Sequence, residues 1–232
     1  MPLPSRVHEF PVSTPATGRT PVLYLHGFAS SPDSTKARYF RERLGAHEVA
    51  LTAPDFNEPD FTTLTMSRML EQLARTIDGV GGPVTLMGSS LGGALAVLAA
   101  GRLGKAVERL VLLAPAVMFA KPGHSLLPPE RIAEWERRGA LPFFHYAYNE
   151  ERPLNFEFYR DAAQHDAFDV MFGQPTLIFQ GLRDTVVDVG SVEAFARPRP
   201  NITLSLLDDD HQLAGSLPAM WAAVEGFLGL LD

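Results

Sequence analysis

The chain has no cysteine among its 232 residues. That excludes a disulfide framework, a cysteine nucleophile and any thiolate-ligated metal. It also lacks an excess of positive charge. Twenty basic side chains face 27 acidic ones, a net charge of −7. Such a balance repels phosphate backbones and anionic lipid headgroups, so neither a nucleic-acid partner nor stable membrane association is expected. Long hydrophobic runs are missing too. The longest, Leu110 to Ala120, is interrupted by Pro115 and is too short to span a bilayer. The first residues, Met-Pro-Leu-Pro-Ser-Arg-Val-His-Glu, show no basic segment followed by an apolar stretch. They do not read as a signal peptide, and a cytoplasmic location is expected. No His-Glu-x-x-His pair, clustered ligand set or dinucleotide fingerprint is visible, so no metal and no cofactor is expected.

What is present is globular. Hydrophobic residues make up 46% of the chain and charged residues 20%. That composition supports one sizeable core, and we expect a single domain over residues 1–232. Short apolar runs alternate with helical patterns, the signature of an α/β fold with a mostly parallel sheet and helices on both faces. The strand candidates are Pro21 to His26, Glu48 to Thr52, Val84 to Met87, Arg109 to Ala114, Thr176 to Gln180 and Ile202 to Leu207. The helix candidates are Ser34 to Leu44, Phe61 to Ile77, Leu91 to Gly101, Ser191 to Ala196 and Leu213 to Leu230. Residues 116–172 break this rhythm and are rich in aromatics, among them Trp135, Phe143, Phe156 and Phe158. A connection that long needs structure of its own, and a helical lid inserted over the sheet edge is expected.

Gly88-Ser89-Ser90-Leu91-Gly92 carries the strongest chemical signal. It fits a Gly-x-Ser-x-Gly turn between a strand and a helix, with Ser90 exposed at its tip. The residues two before and two after the serine crowd that turn and must be small. Ser89 fails this test, because its equivalent neighbours are Met87 and Leu91. A second signal is His26-Gly27-Phe28 at the end of the first strand. The loop there and the residue after the serine supply oxyanion donors in this arrangement, which nominates the backbone N–H groups of Phe28 and Leu91. A serine nucleophile needs a base, and the base needs an orienting acid. Asp184 follows the Thr176 strand and His211 follows the last one, in the expected order of Ser, Asp, His. Asp188 is an alternative acid. Asp208, Asp209 and Asp210 read as solvated loop charges. His145 and His165 precede Asp184, which is the wrong order for the base, and His8, His47 and His124 carry no motif.

These motifs resemble those of the α/β-hydrolase superfamily over nearly the whole chain. More narrowly, the chain is similar to the small bacterial YqiA-type serine esterases. The narrower resemblance rests on Tyr24-Leu25-His26-Gly27-Phe28, Ser30-Ser31-Pro32, Lys36-Ala37, Gly88 to Gly93, Gly181, Asp184, Val187 and Asp210-His211. It implies a cofactor-free hydrolase of carboxylic esters or thioesters acting on a small-molecule acyl substrate. Two positions depart from the pattern: Gln180 where relatives often carry histidine, and Asp188 where many carry proline. Ser31 is expected to cap the following helix, and Lys36 reads as a solvated helix lysine. Two other classes compete with hydrolysis: different acyl-transfer or lyase chemistry on the same residues, and a non-catalytic ligand-binding protein. The aromatics of residues 116–172 suit either an apolar acyl or aryl group or a core internal to the lid.

Overall fold

The structure, a computed structural model, describes residues 19–121 and 127–231. His8 and His124 lie outside the described residues, as does the amino-terminal segment. Six strands form one parallel sheet: β1 (Val22–Leu25), β2 (Leu51–Thr52), β3 (Val84–Ser89), β4 (Val107–Leu113), β7 (Thr176–Gly181) and β8 (Ile202–Leu207), in the order β2-β1-β3-β4-β7-β8. All five pairings are parallel. Each connection therefore crosses over, and helices cover both faces as the alternating pattern implied.

Side chains alternate strictly along the central strands, as the pleat requires. Val22, Tyr24, Met87, Val111, Leu113, Leu177 and Phe179 face α1 (Thr35–Gly45) and α7 (Leu217–Phe227). Leu23, Leu25, Leu86, Leu110, Leu112 and Ile178 face α2 (Met66–Val80), α3 (Leu91–Leu103) and α6 (Val189–Ala196). The first ten residues of α3 are buried on all sides. That helix lies between the sheet and the elements outside it, which explains a sequence with no polar stripe.

The insertion between β4 and β7 differs from the expected helical lid. It contains α4 (Pro129–Arg138) and α5 (Glu157–Ala162), but between them β5 (Ala140–His145) and β6 (Glu150–Asn155) form an antiparallel hairpin. Gly139 ends α4 at φ +74°, a left-handed conformation natural to glycine. Leu141 and His145 are then buried while Pro142 and Phe144 are exposed, the alternation of a half-buried strand. Trp135 anchors the insertion: its Nε1 donates to the Leu154 carbonyl at 2.8 Å, and its ring meets Phe143 at 4.8 Å and Phe156 at 5.8 Å. These aromatics make a core of their own. The helix after β1 also starts differently. Ser34, not Ser31, is the N-cap and accepts from the Ala37 amide at 3.4 Å, while Ser31 accepts from Asp33 N at 3.3 Å.

Candidate active site

The loops that follow β1, β3, β7 and β8 all emerge at the carboxyl edge of the sheet, where open parallel sheets place their ligands. Ser90 sits between β3 and α3 with φ +52° and ψ −114°, a strained conformation for a residue with a side chain. Packing around it leaves no room for larger neighbours. A Cβ on Gly88 would lie 2.3 Å from the Gly92 carbonyl oxygen, and one on Gly92 only 2.0 Å from that of Leu25. Gly93 is just as constrained: a Cβ there would lie 2.7 Å from Pro115. The Ser90 amide donates to the Leu113 carbonyl at 2.9 Å, and its own carbonyl accepts from Ala116 N at 3.0 Å, so β4 holds the turn from the far side.

Three residues far apart in sequence meet at this turn. His211 Nε2 lies 3.2 Å from Ser90 Oγ, and His211 Nδ1 lies 2.8 Å from Asp184 Oδ2. The Asp184 carboxylate is inaccessible to solvent, and its Oδ1 accepts from the amides of Val186 and Val187, each at 2.8 Å. Burial alone would raise its pKa. The hydrogen bond from His211 and the two amide donors outweigh burial and hold the carboxyl below its ordinary value. Gly181 makes the approach of the His211 loop possible, because a Cβ there would sit 2.6 Å from the carbonyl oxygens of both Asp209 and Asp210.

The competitors are engaged elsewhere. Asp188 caps α6, accepting from Ser191 N at 2.8 Å and Ser191 Oγ at 3.0 Å. Asp208 pairs with Arg183, Asp209 accepts from Ser216 Oγ at 2.8 Å, and Asp210 accepts from Gln212 N at 2.8 Å. His145 Nε2 meets Asn57 Oδ1 at 3.0 Å. His165 lies between Ser67 Oγ at 2.9 Å and Arg102 at 2.7 Å. His47 pairs with Glu225. Ser89 is buried on the other side of the turn, beside Tyr24. Burial pushes the Tyr24 phenol up to about 12 against the opposing pull of the Ser34 and Ser89 hydroxyls.

Gly27 lies against the serine turn: a Cβ there would meet Ser89 O at 3.3 Å and Ser90 Cβ at 3.4 Å. That contact brings the loop after β1 against the serine turn. Leu91 is the first residue of α3, where the amide has no acceptor within its own helix. The Phe28 ring docks into the insertion's aromatics, 5.5 Å from Phe143 and 5.5 Å from Phe158. The hairpin is bonded to the same loop, since Tyr146 N donates to the Ala29 carbonyl at 2.9 Å and Asn57 joins the Ser30 carbonyl to His145. Asn57 carried no motif, and only the fold reveals it.

Gln180 was a departure without a role. Its side chain is fully buried, and its Nε2 donates to Asp184 Oδ2 at 2.9 Å and to the Val187 carbonyl at 3.2 Å. It therefore orients the carboxylate from behind. Its spacing four residues before Asp184 was the available signal. Lys36 was read as a solvated lysine. It is half-buried instead, and its Nζ donates to the Gln212 carbonyl at 2.8 Å.

Sheet order and crossover connections define the α/β-hydrolase fold, as the resemblance implied. The chain belongs to the uncharacterised protein family UPF0227, whose pattern matches residues 21–227. Among solved structures it is similar to Est1E from Butyrivibrio proteoclasticus with ferulic acid bound. That likeness has a TM-score of 0.79 and 23% identity over 93% of this chain and 91% of the other. It is also similar to α/β hydrolase domain-containing protein 10 from mouse, with a TM-score of 0.75 and 21% identity over 91% and 90% of the two chains. A monoacylglycerol lipase from Paleococcus ferrophilus gives a TM-score of 0.75 at 14% identity, over 90% of this chain and 95% of that one. At such identities the likeness is one of fold. Among curated proteins, the biotin biosynthesis bifunctional protein BioHC of Teredinibacter turnerae is 34% identical over 116 residues. The match spans 47% of this chain and only 20% of BioHC. Among the described residues no helix is long and apolar enough to cross a membrane.

Proposed function

We propose that the protein is a serine hydrolase that cleaves a carboxylic ester or thioester through an acyl-enzyme. The observation that carries this reading is the bonded chain Asp184–His211–Ser90, with the serine strained at the tip of its turn. Ser90 Oγ attacks the acyl carbon while His211 Nε2 takes its proton. Asp184 keeps the proton of the imidazole on Nδ1 and stabilises the charged ring. The Phe28 and Leu91 amides hold the oxyanion, each donor contributing about 3 kcal/mol of transition-state stabilisation. His211 then protonates the leaving alcohol or thiol, and water resolves the acyl-enzyme by the same route. The names of similar proteins, Est1E with ferulic acid bound and a monoacylglycerol lipase, lend support to ester chemistry.

The test is covalent. Ser90→Ala should abolish labelling by a fluorophosphonate and lower p-nitrophenyl acetate hydrolysis by at least about 10⁴-fold. Ser89→Ala, altering a buried hydroxyl at the end of β3, should still label. An adduct on the Ser90→Ala protein would overturn the assignment.

A further inference from the structure

The block Ser30 to Lys36 contributes no group to the bonded chain just described, yet its second half is built against it. Ser34 caps α1, and Ala37 in the first turn of that helix is buried in the same core as Val22 and Tyr24 of β1 and Met87 of β3. This packs the first turn of α1 against β1 and β3. Lys36, two residues on, extends from that fixed turn, and its ammonium donates to the carbonyl of Gln212, the residue after His211. The two partners are separated by 176 positions in sequence. The other ties of the His211 loop include Asp210 to Gln212 N, Asp209 to Ser216, and Arg183 to Asp208 and the Asp209 carbonyl. Those ties join the loop to itself and to the β7 side. Lys36 adds an anchor from the β1 side of the sheet.

We propose that Lys36 is a positioning residue: it clamps the Gln212 carbonyl and so holds the His211 imidazole in line between Ser90 and Asp184. The inference rests on the hydrolase reading above. A shift of about 1 Å in a reacting group can cost roughly 10²-fold in rate, so an anchor one residue from the imidazole has leverage.

The charged groups around the ammonium make the clamp sensitive to pH. Asp210, Asp184 and Asp209 favour its charged form, while burial opposes it more strongly and brings it down to about 8. Asp208 faces Arg183, and Asp33, just before α1, pairs with Arg41 of that helix. His211 is carried by the loop that Lys36 holds. A neutral amine donates a weaker hydrogen bond than an ammonium, so the clamp loosens as pH rises through that value. Arginine stays charged across this range.

The experiment compares wild type, Lys36→Met and Lys36→Arg in the full chain. It reads kcat and KM for p-nitrophenyl acetate between about pH 6.5 and about 9.5, and amide hydrogen exchange over residues 208–213. Lys36→Met should lose about tenfold in kcat at neutral pH with KM within about twofold, and exchange in the loop should quicken. Wild-type kcat should decline toward that of Lys36→Met above pH 8, whereas Lys36→Arg should keep most of the neutral kcat and lose the alkaline decline. Unchanged kcat or unchanged loop exchange in Lys36→Met overturns the proposal. Failure of the hydrolase reading shows separately, as a wild-type protein whose Ser90 takes no fluorophosphonate. Exchange then still decides whether Lys36 holds the loop.

Discussion

The serine turn and the insertion between β4 and β7 lie side by side but are built by different rules. In the turn, backbone packs on backbone. Gly88, Gly92 and Gly93 each leave less than 3 Å for a Cβ, and none of the three positions admits a side chain. In the insertion, side chain packs on side chain. Trp135 meets four aromatic rings at 4.8 to 6.4 Å, and a ring can be replaced by another apolar group at moderate cost. The first region restricts residue type position by position. The second fixes only volume and polarity. Changes at the sheet edge should accordingly remove chemistry from a folded protein, and changes in the insertion should remove stability first.

The largest test of that contrast is at the acid. Asp184→Asn keeps the shape but favours the wrong imidazole tautomer, so kcat/KM at neutral pH should fall about 10⁴-fold. Asp188→Asn should stay within about threefold, with stability nearly unchanged, because asparagine caps a helix about as well as aspartate. Measurements of both variants from about pH 5 to about 9 decide between the two carboxylates. If Asp188→Asn were the crippled one, the edge would not work as described. The carboxyl of Asp184 is held below its ordinary value. Its contribution to stability is therefore complete above the unfolded-state pKa and is lost as pH falls through the folded-state one. Asp184→Asn should remove that part of the acid dependence in thermal melts below about pH 4.

Trp135→Ala comes next. It should cost about 4 kcal/mol in denaturant unfolding, because a fully buried ring and its hydrogen bond to Leu154 both go. The hydrolytic rate per fluorophosphonate-titrated site should drop far less than with Asp184→Asn. A loss of comparable size would mean that the insertion acts on chemistry directly through Phe28. The smallest effect is at Gln180. Gln180→Leu removes a donor to a charged oxygen, worth about 2 kcal/mol, and should lower kcat between tenfold and a hundredfold. Gln180→His, which keeps an N–H donor at that position, should recover most of it.

The same contrast governs what was legible in the sequence. The six strands of the main sheet and the helices between them follow from apolar runs and periodicity, and their ends differ by a few residues. Arg109 to Ala114, for example, became Val107–Leu113. Ser90, Asp184 and His211 were readable because strand ends and tight turns tolerate few residue types. The β5–β6 hairpin was not, although Leu141 and His145 alternate with exposed neighbours. Its turn, Tyr146 to Asn149, contains no glycine, and Asn149 takes up the left-handed φ of +54°. Pro142 and Pro153, opposite one another in the ladder, also argue against a strand on local grounds. The roles of Asn57 and Lys36 were invisible for another reason. Each reaches a partner distant in sequence, and no local pattern marks an amide or an amine that happens to meet a particular oxygen.

The wide spacing of the meeting residues also dictates when the chain becomes reactive. His211 follows Ser90 by 121 positions. At a synthesis rate of roughly 5 to 20 residues per second, the ribosome needs about 6 to 25 seconds to go from one to the other. During that interval β1, β3 and α3 can already shape the serine turn, but under the proposed mechanism nothing yet draws the proton from Ser90. The emerging polypeptide would thus present a serine turn with an unactivated hydroxyl, and under that mechanism activity would begin only once β8 and the His211 loop had joined the edge of the sheet.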